Sequence, residues 1–229
     1  MPRLKEKVDL LYYEKELYNQ GYTLIAGVDE AGRGPLVGPV VAAAVILPQN
    51  YQLEGLNDSK QLTEKKRNIF FEQIKKDAIS YGIGIVDAKT IDEINILEAS
   101  RLAMNIALDN LNVKPEYIIT DAMKLPTRDK VLDLIHGDAL SINVAAASVL
   151  AKVTRDQIMY ELDKEYPEYE FASHKGYPTK KHIEKIKKYG ILNNYRFTYK
   201  PVKDIINQKG AKKWKEQECL KIYLLYWLL

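Results

Sequence analysis

An α/β fold, with a mixed sheet and helices packed on it, is predicted from three features of the chain. Two apolar runs, Tyr22 to Val28 and Val37 to Leu47, flank a glycine-rich turn and read as hairpin-linked strands. Further strand-length runs then alternate with helix-length segments. No repeat or low-complexity stretch interrupts that order, so consecutive elements can pack as neighbours.

Each element has its own signal. Leu4, Val8, Leu11, Tyr12 and Leu17 recur at helical spacing over residues 4 to 19, and Gly21 supplies a C-cap. Strand one is Thr23 to Asp29, and strand two runs from Val37 to Leu47 and ends before Pro48. After a polar loop, Leu56 to Lys60, Thr63 caps a helix reaching about Ser80. Tyr81 to Val86 reads as a third strand, and Thr90-Ile91-Asp92-Glu93 is a capping box opening a helix to about Asn110. Tyr117 to Thr120, after Pro115, is a short strand ending in Asp121. Ser141 to Val144 reads as a fifth strand, followed by a long helix from Ala145 to Glu165. Lys200 to Gln208 is read as a short helix. The apolar end, Ile222 to Leu229, is too short to cross a membrane and is expected to dock on the body.

Composition excludes several classes. With 229 residues, 46% apolar and 28% charged, the chain suits one substantial soluble core. A single cysteine, Cys219, rules out an internal disulfide framework. No Cys/His cluster suggests zinc, the N-terminus is too charged for a signal peptide, and no apolar run is long enough to span a membrane. A cytosolic protein is expected. Net charge is only +3, but Ala172 to Lys215 holds 13 Lys/Arg against 2 Asp/Glu, leaving 21 basic and 29 acidic groups elsewhere. An acidic body with a basic end suits a polyanion. Tyr177, Tyr189, Tyr195, Phe197 and Tyr199, interleaved with those lysines, favour nucleic acid over a merely solvated helix.

The chemistry concentrates in GVDEAGRGPLVG, Gly27 to Gly38. Successive strand side chains point to opposite faces, so the adjacent acids Asp29 and Glu30 share a site only where the strand ends. The glycines that follow supply such an end and let backbone N–H groups approach a ligand. Two carboxylates beside bare backbone and Arg33 suit a divalent metal next to a phosphate. A Walker loop is excluded because Pro39 follows Gly38. A dinucleotide fingerprint is excluded because Gly32, Gly34 and Gly38 are spaced one residue too far and lead into a β-branched run.

Two-metal phosphodiester hydrolysis needs several carboxylates around cations about 3.5–4 Å apart. Strand-end acids in an open sheet nominate Asp87 and Asp121, and Asp138 stands just before the fifth strand. Spacing does not rank them, since Asp87 and Asp138 also suit ordinary turns.

The segments IAGVDEAGRGPLVGPVVAAAVILP, LNDSKQLTEKKR, NILEASRLAM, GDALSINVAAASVLAKVTRD and HKGYPT resemble those of the type 2 ribonucleases H (ribonuclease HII), from about Leu11 to about Val202. The resemblance implies a ribonuclease H-like fold: a mixed five-stranded sheet flanked by helices, with a C-terminal helical part that helps clamp a duplex. It implies metal ligation and catalysis by Asp29, Glu30, Asp121 and Asp138, with two Mg²⁺ or Mn²⁺ ions, and leaves Asp87 and Asp156 structural. Asp156 is then the i,i+4 partner of Lys152. Gly32-Arg33-Gly34 matches the motif that reads a ribose 2′-hydroxyl through backbone groups, and Tyr177 the tyrosine that packs on the following deoxyribose. Lys60, Ser148 and Lys152 match positions contacting phosphates. By the same resemblance, residues 1–202 form the catalytic domain, with its basic helical part from about 165, and 203–229 an extension of open role.

Three departures stand out. Ala122 replaces the glycine usual after the third acid, Tyr195-Arg196-Phe197-Thr198-Tyr199 replaces a common His-Arg-x-Ser-Phe, and the segment after Lys215 has no counterpart. Tyr195 is assigned no role.

The implied activity is cleavage of the RNA strand of RNA–DNA hybrids, and incision 5′ of single ribonucleotides in duplex DNA. It would leave 3′-hydroxyl and 5′-phosphate ends and so remove misincorporated ribonucleotides. A monomer is expected. Gln217, Leu220 and Tyr223 are spaced loosely like sliding-clamp-binding peptides. The related type 3 enzymes typically carry an extra N-terminal domain, and with 28 residues before Asp29 none is expected here.

Overall fold

A computed structural model of the chain describes residues 9–57 and 59–209. Leu4, Val8, Cys219, the clamp-like spacing at Gln217, Leu220 and Tyr223, and the apolar end lie outside those residues. The strands are β1 (Ile25–Ala31), β2 (Val40–Ile46), β3 (Ser80–Val86), β4 (Tyr117–Asp121) and β5 (Val131–Leu134), in the order β3-β2-β1-β4-β5. Antiparallel pairing joins β3, β2 and β1, and parallel pairing joins β1, β4 and β5. The mixed five-stranded sheet expected from the resemblance is therefore present.

Seven helices complete the described part: α1 (Tyr12–Asn19), α2 (Glu64–Asp77), α3 (Ala88–Asp109), α4 (Ile142–Glu165), α5 (Phe171–His174), α6 (Lys180–Tyr189) and α7 (Lys200–Lys209). Strand periodicity decides what each covers. On β2, Ala43 and Val45 pack with α2 and α4, whereas Val40, Ala42, Ala44 and Ile46 pack with α3. Small residues make these layers close. A Cβ on Gly84 would run into the Ala103 carbonyl of α3, and one on Gly27 into the Asn143–Val144 peptide of α4. The start of α4 thus rests directly on β1, two residues before Asp29. A further apolar cluster joins Leu36 and Val37, in the glycine-rich turn, to Phe171, Ile186, Val202 and Ile205 of the C-terminal helices and to Tyr195 between α6 and α7. In that cluster α7 runs across residue 203 and buries residues on both sides of it.

Two predicted elements are corrected. The fifth strand is Val131–Leu134, not Ser141 to Val144. Ser141 is extended but caps α4, its hydroxyl accepting from Val144 N–H at 3.2 Å. The β-branched Ile142 and Val144 favour a strand locally, but cap and packing override that propensity. The four residues of β5 are too few to stand out by periodicity. The α3 cap is Asp87, whose carboxylate accepts from Thr90 N–H at 2.7 Å, so the helix starts a turn before the predicted capping box. Asn95 interrupts α3 with φ 67°, and its side chain recaps the second half by accepting from Leu97 and Glu98 N–H. Thr63 does cap α2, as predicted. Among the described residues, no helix is long and apolar enough to cross a membrane.

Candidate active site

The carboxylates gather at the C-terminal ends of the three parallel strands. β1 pairs with β4 only as far as Val28↔Thr120, so Asp29 and Glu30 project beyond that pairing. Asp121 is the last residue of β4, and Asp138 lies in the turn Gly137–Ala139 between β5 and α4. One carboxylate oxygen from each of Asp29, Asp121 and Asp138 lies within 4.8 Å of the others. Asp121 Oδ1 accepts Gly137 N–H at 2.8 Å, tying two of the acids together through backbone. Gly137 keeps that approach uncrowded: a Cβ would sit 3.1 Å from Thr120 O and 3.3 Å from Asp121 Cα.

Glu30 stands outside the three-carboxylate group. β1 continues to Ala31, two residues past the predicted end, so alternation turns Glu30 away from Asp29. Its Oε1 accepts from Arg33 at 3.3 Å, while its Oε2 is buried and has no hydrogen-bond partner. Burial and the neighbouring acids Glu30 and Asp121 hold Asp29 well above the ordinary carboxylate range. Burial also lifts Glu30 to about 7, with Arg33 opposing and Asp121 adding to the shift. A buried carboxylate oxygen without a donor, beside an Asp29 held high by burial and by neighbouring acids, fits a site completed by cations.

Without metal, Glu30 binds more protons folded than unfolded between the ordinary glutamate value of 4.5 and about 7. That contribution is complete below 4.5 and lost as pH rises through 7. Thermal melts in EDTA should therefore show stability falling from pH 6.5 to pH 8, above the range where the buried histidines charge, and Mn²⁺ should remove most of that slope. A flat profile across that window would contradict a Glu30 carboxyl raised by burial and by Asp121.

The glycine-rich turn is held from behind by two buried arginines. Arg196 donates to the carbonyls of Gly32 (2.6 Å), Arg33 (2.9 Å) and Gly38 (2.9 Å). Arg155 donates to the carbonyls of Pro39, Val37 and Lys175. Tyr199 also donates its hydroxyl to Arg33 O at 2.7 Å. A trans peptide points N–H opposite to C=O. With the Gly32 and Arg33 carbonyls pulled inward, the N–H groups of Arg33 and Gly34 are directed outward. Gly32 has φ +100°, and a Cβ there would collide with Arg155. Asp92 completes the support: its carboxylate accepts from Phe197 N–H at 2.6 Å and Thr198 N–H at 3.0 Å, anchoring the segment that carries Arg196.

The other predicted residues fall around this centre. Lys60 donates to Asp138 at 3.4 Å, from an exposed position. Tyr177, 43% exposed, packs its ring beside Gly34, where an added Cβ would lie 3.5 Å from Cε1. Ser148 is buried; it donates to Ala145 O and accepts from Ser59 N–H, supporting the Lys60 turn from beneath. Lys152 pairs with Asp156 at 2.6 Å, the expected i,i+4 contact. Asp87 lies at the α3 cap. Ala122, directly after Asp121, has φ +48°, which is why glycine suits that position better.

The aromatic expectation needs correction. Tyr195 is fully buried and Phe197 and Tyr199 are half-buried against the C-terminal cluster, leaving Tyr177 and Tyr189 as the exposed rings. Arg196, one of the cations expected to face a polyanion, is likewise buried. Sequence reasoning missed Arg155, Arg196 and Asp92 because their partners are backbone groups far along the chain. It also missed Glu14, a fully buried acid of α1 that accepts from the Ser141 hydroxyl and from Asn143 at the start of α4. Burial holds its carboxyl above the ordinary range. A charged residue on the apolar stripe of α1 was its one visible signal.

The family model for ribonuclease HII matches residues 26–202. A ribonuclease HII from Bacillus cytotoxicus is 52% identical over 202 residues, covering 88% of this chain and 78% of its own. The crystal structure of ribonuclease H2 from Pyrococcus horikoshii OT3 is similar with TM-score 0.70 and 31% identity, over 82% of this chain and 99% of its own. A chain of the PCNA–RNase HII complex from Archaeoglobus fulgidus is similar with TM-score 0.66 and 27% identity, over 77% and 95%.

Proposed function

Because the chain belongs to the ribonuclease HII family of metal-dependent endoribonucleases, we propose that it cuts the RNA strand of RNA–DNA hybrids and incises duplex DNA 5′ of a single embedded ribonucleotide. The products carry 3′-hydroxyl and 5′-phosphate ends. The observation that carries this reading is the convergence of Asp29, Asp121 and Asp138 beside a loop whose backbone amides are directed outward.

Asp29, Glu30, Asp121 and Asp138 would hold two divalent ions, Mg²⁺ or Mn²⁺. Bound there, such ions activate a water and offset charge on the leaving oxygen. The remaining steps fall to the chain itself. The outward amides of Arg33 and Gly34 meet the ribose 2′-hydroxyl at the point where a side chain would block approach. Tyr177 packs on the sugar that follows. Lys60 and Lys152 face phosphates, and Ser148 acts by holding the Lys60 turn. Glu30, set apart from Asp29 by strand alternation and carrying a buried oxygen without a hydrogen-bond partner, would supply the fourth carboxylate to those ions.

A sliding clamp as a further partner is supported by the Archaeoglobus complex and by the spacing of Gln217, Leu220 and Tyr223.

The test is a duplex carrying one ribonucleotide, compared with its all-DNA counterpart. Cleavage is expected 5′ of the ribonucleotide with Mn²⁺ or Mg²⁺ and none with EDTA. Equal cutting of both duplexes would overturn ribose reading, and cutting in EDTA would overturn the metal requirement.

A further inference from the structure

Behind Tyr177 lies a buried hydrogen-bonded chain that the proposed reaction does not use directly. The Tyr177 carbonyl is 2.8 Å from His182 Nδ1, and His182 Nε2 is 2.8 Å from the Tyr195 hydroxyl. A carbonyl only accepts, so Nδ1 carries the proton and Nε2 accepts from Tyr195. His182 and Tyr195 are both fully buried, and burial presses His182 down to about 4, so the ring is neutral. His174 stacks on His182 at 4.1 Å, and its Nδ1 accepts Gly176 N–H at 3.1 Å. On the other side, Leu36 N–H donates to Gly176 O at 2.8 Å. The Tyr177 backbone is thus set from within, while its ring stands beside Gly34.

We infer that Tyr195, acting through His182, is a positioning residue for Tyr177 and so sets preference for a ribonucleotide followed by DNA. The inference rests on the proposed role of Tyr177 as the ring against the following deoxyribose. Tyr195 sits where this chain departs from the common His-Arg-x-Ser-Phe pattern. The Tyr177 carbonyl fixes the histidine tautomer, and the Tyr195 hydroxyl anchors the ring from its far side: without that donor, Nε2 is left unsatisfied in the core and the imidazole is free to turn and loosen its grip on the Tyr177 carbonyl.

The readout is the ratio of kcat/KM on a duplex with one ribonucleotide to kcat/KM on a continuous RNA–DNA hybrid. Tyr195→Phe is expected to lower that ratio about 5-fold, the worth of roughly one hydrogen bond. In a Tyr177→Ala background, where the ratio has already collapsed, Tyr195→Phe should lower it no further. General loss of stability lowers both rates together and leaves the ratio unchanged. An unchanged ratio in Tyr195→Phe, with a lowered one in Tyr177→Ala, overturns the relay alone. An unchanged ratio in Tyr177→Ala overturns the reading of Tyr177 itself. Should Tyr195→Phe fail to fold, His182→Gln, whose amide can both donate and accept, must hold the ratio, and His182→Leu must lower it. The reverse order overturns the inference.

Discussion

Asp121→Asn is expected to cut the cleavage rate by about 10³-fold or more with Mg²⁺, because it removes a charge from the set proposed to hold the ions. Affinity for a hybrid should survive. The Asn oxygen can still accept Gly137 N–H, now 2.8 Å from Asp121 Oδ1, so the turn presenting Asp138 keeps its place. Removing one negative charge also eases the approach of substrate phosphates. The metal-free protein should become more stable at pH 8, since the Asp121 charge helps raise both Asp29 and Glu30. Three outcomes are thus linked: slower cleavage, retained binding and a higher melting temperature in EDTA. A normal rate with Mg²⁺ would remove Asp121 from the proposed ligands. Weaker hybrid binding would mean that the substitution disturbs the turn and not merely the charge.

What the sequence made legible follows the range of each interaction. Apolar patterning marked β1, β2 and β3 because each is seven residues long and at least one face is buried along most or all of its length. β5 was missed because it is four residues long at a sheet edge, with Asp133 exposed. Local caps were readable when one candidate stood alone, as at Thr63. They were misplaced where two competed, as at Asp87 and Thr90. The acid pair Asp29-Glu30 was visible as a motif, yet spacing could not choose among Asp87, Asp121 and Asp138. That choice came from the family resemblance. The reason lies in the topology: β4 and the turn after β5 reach the end of β1 only through parallel pairing across residues far apart in the chain.

The supports of the site were the least legible part. Glu14 bonds to residues well over a hundred positions away, and Arg196 to carbonyls still more distant. Neither separation leaves a local pattern. In the charge tally Arg196 counted as one more surface cation of a basic segment, although it is the group that holds the glycine-rich turn.

That burial makes Arg196→Met the sharpest test of the turn. The substitution keeps much of the side-chain volume and removes a buried charge, which by itself favours folding. Against this, the Gly32 and Gly38 carbonyls lose donors in a buried region, while Arg33 O keeps only the Tyr199 hydroxyl. Each orphaned group costs about 1–3 kcal/mol, so the orphaning wins and the net loss should be roughly 3 kcal/mol. For a chain of this size that is a fall of about 6–12 °C in Tm. Arg196→Lys should recover little, because one ammonium cannot span three carbonyls that a planar guanidinium meets at once. Freed carbonyls can rotate outward and carry the Arg33 and Gly34 amides with them. Assayed well below its Tm, the Met variant should therefore lose discrimination for a single ribonucleotide by more than its general activity falls. If Tm drops as expected but discrimination is intact, the arginine only stabilises the fold, and the outward amides owe their direction to the glycines alone.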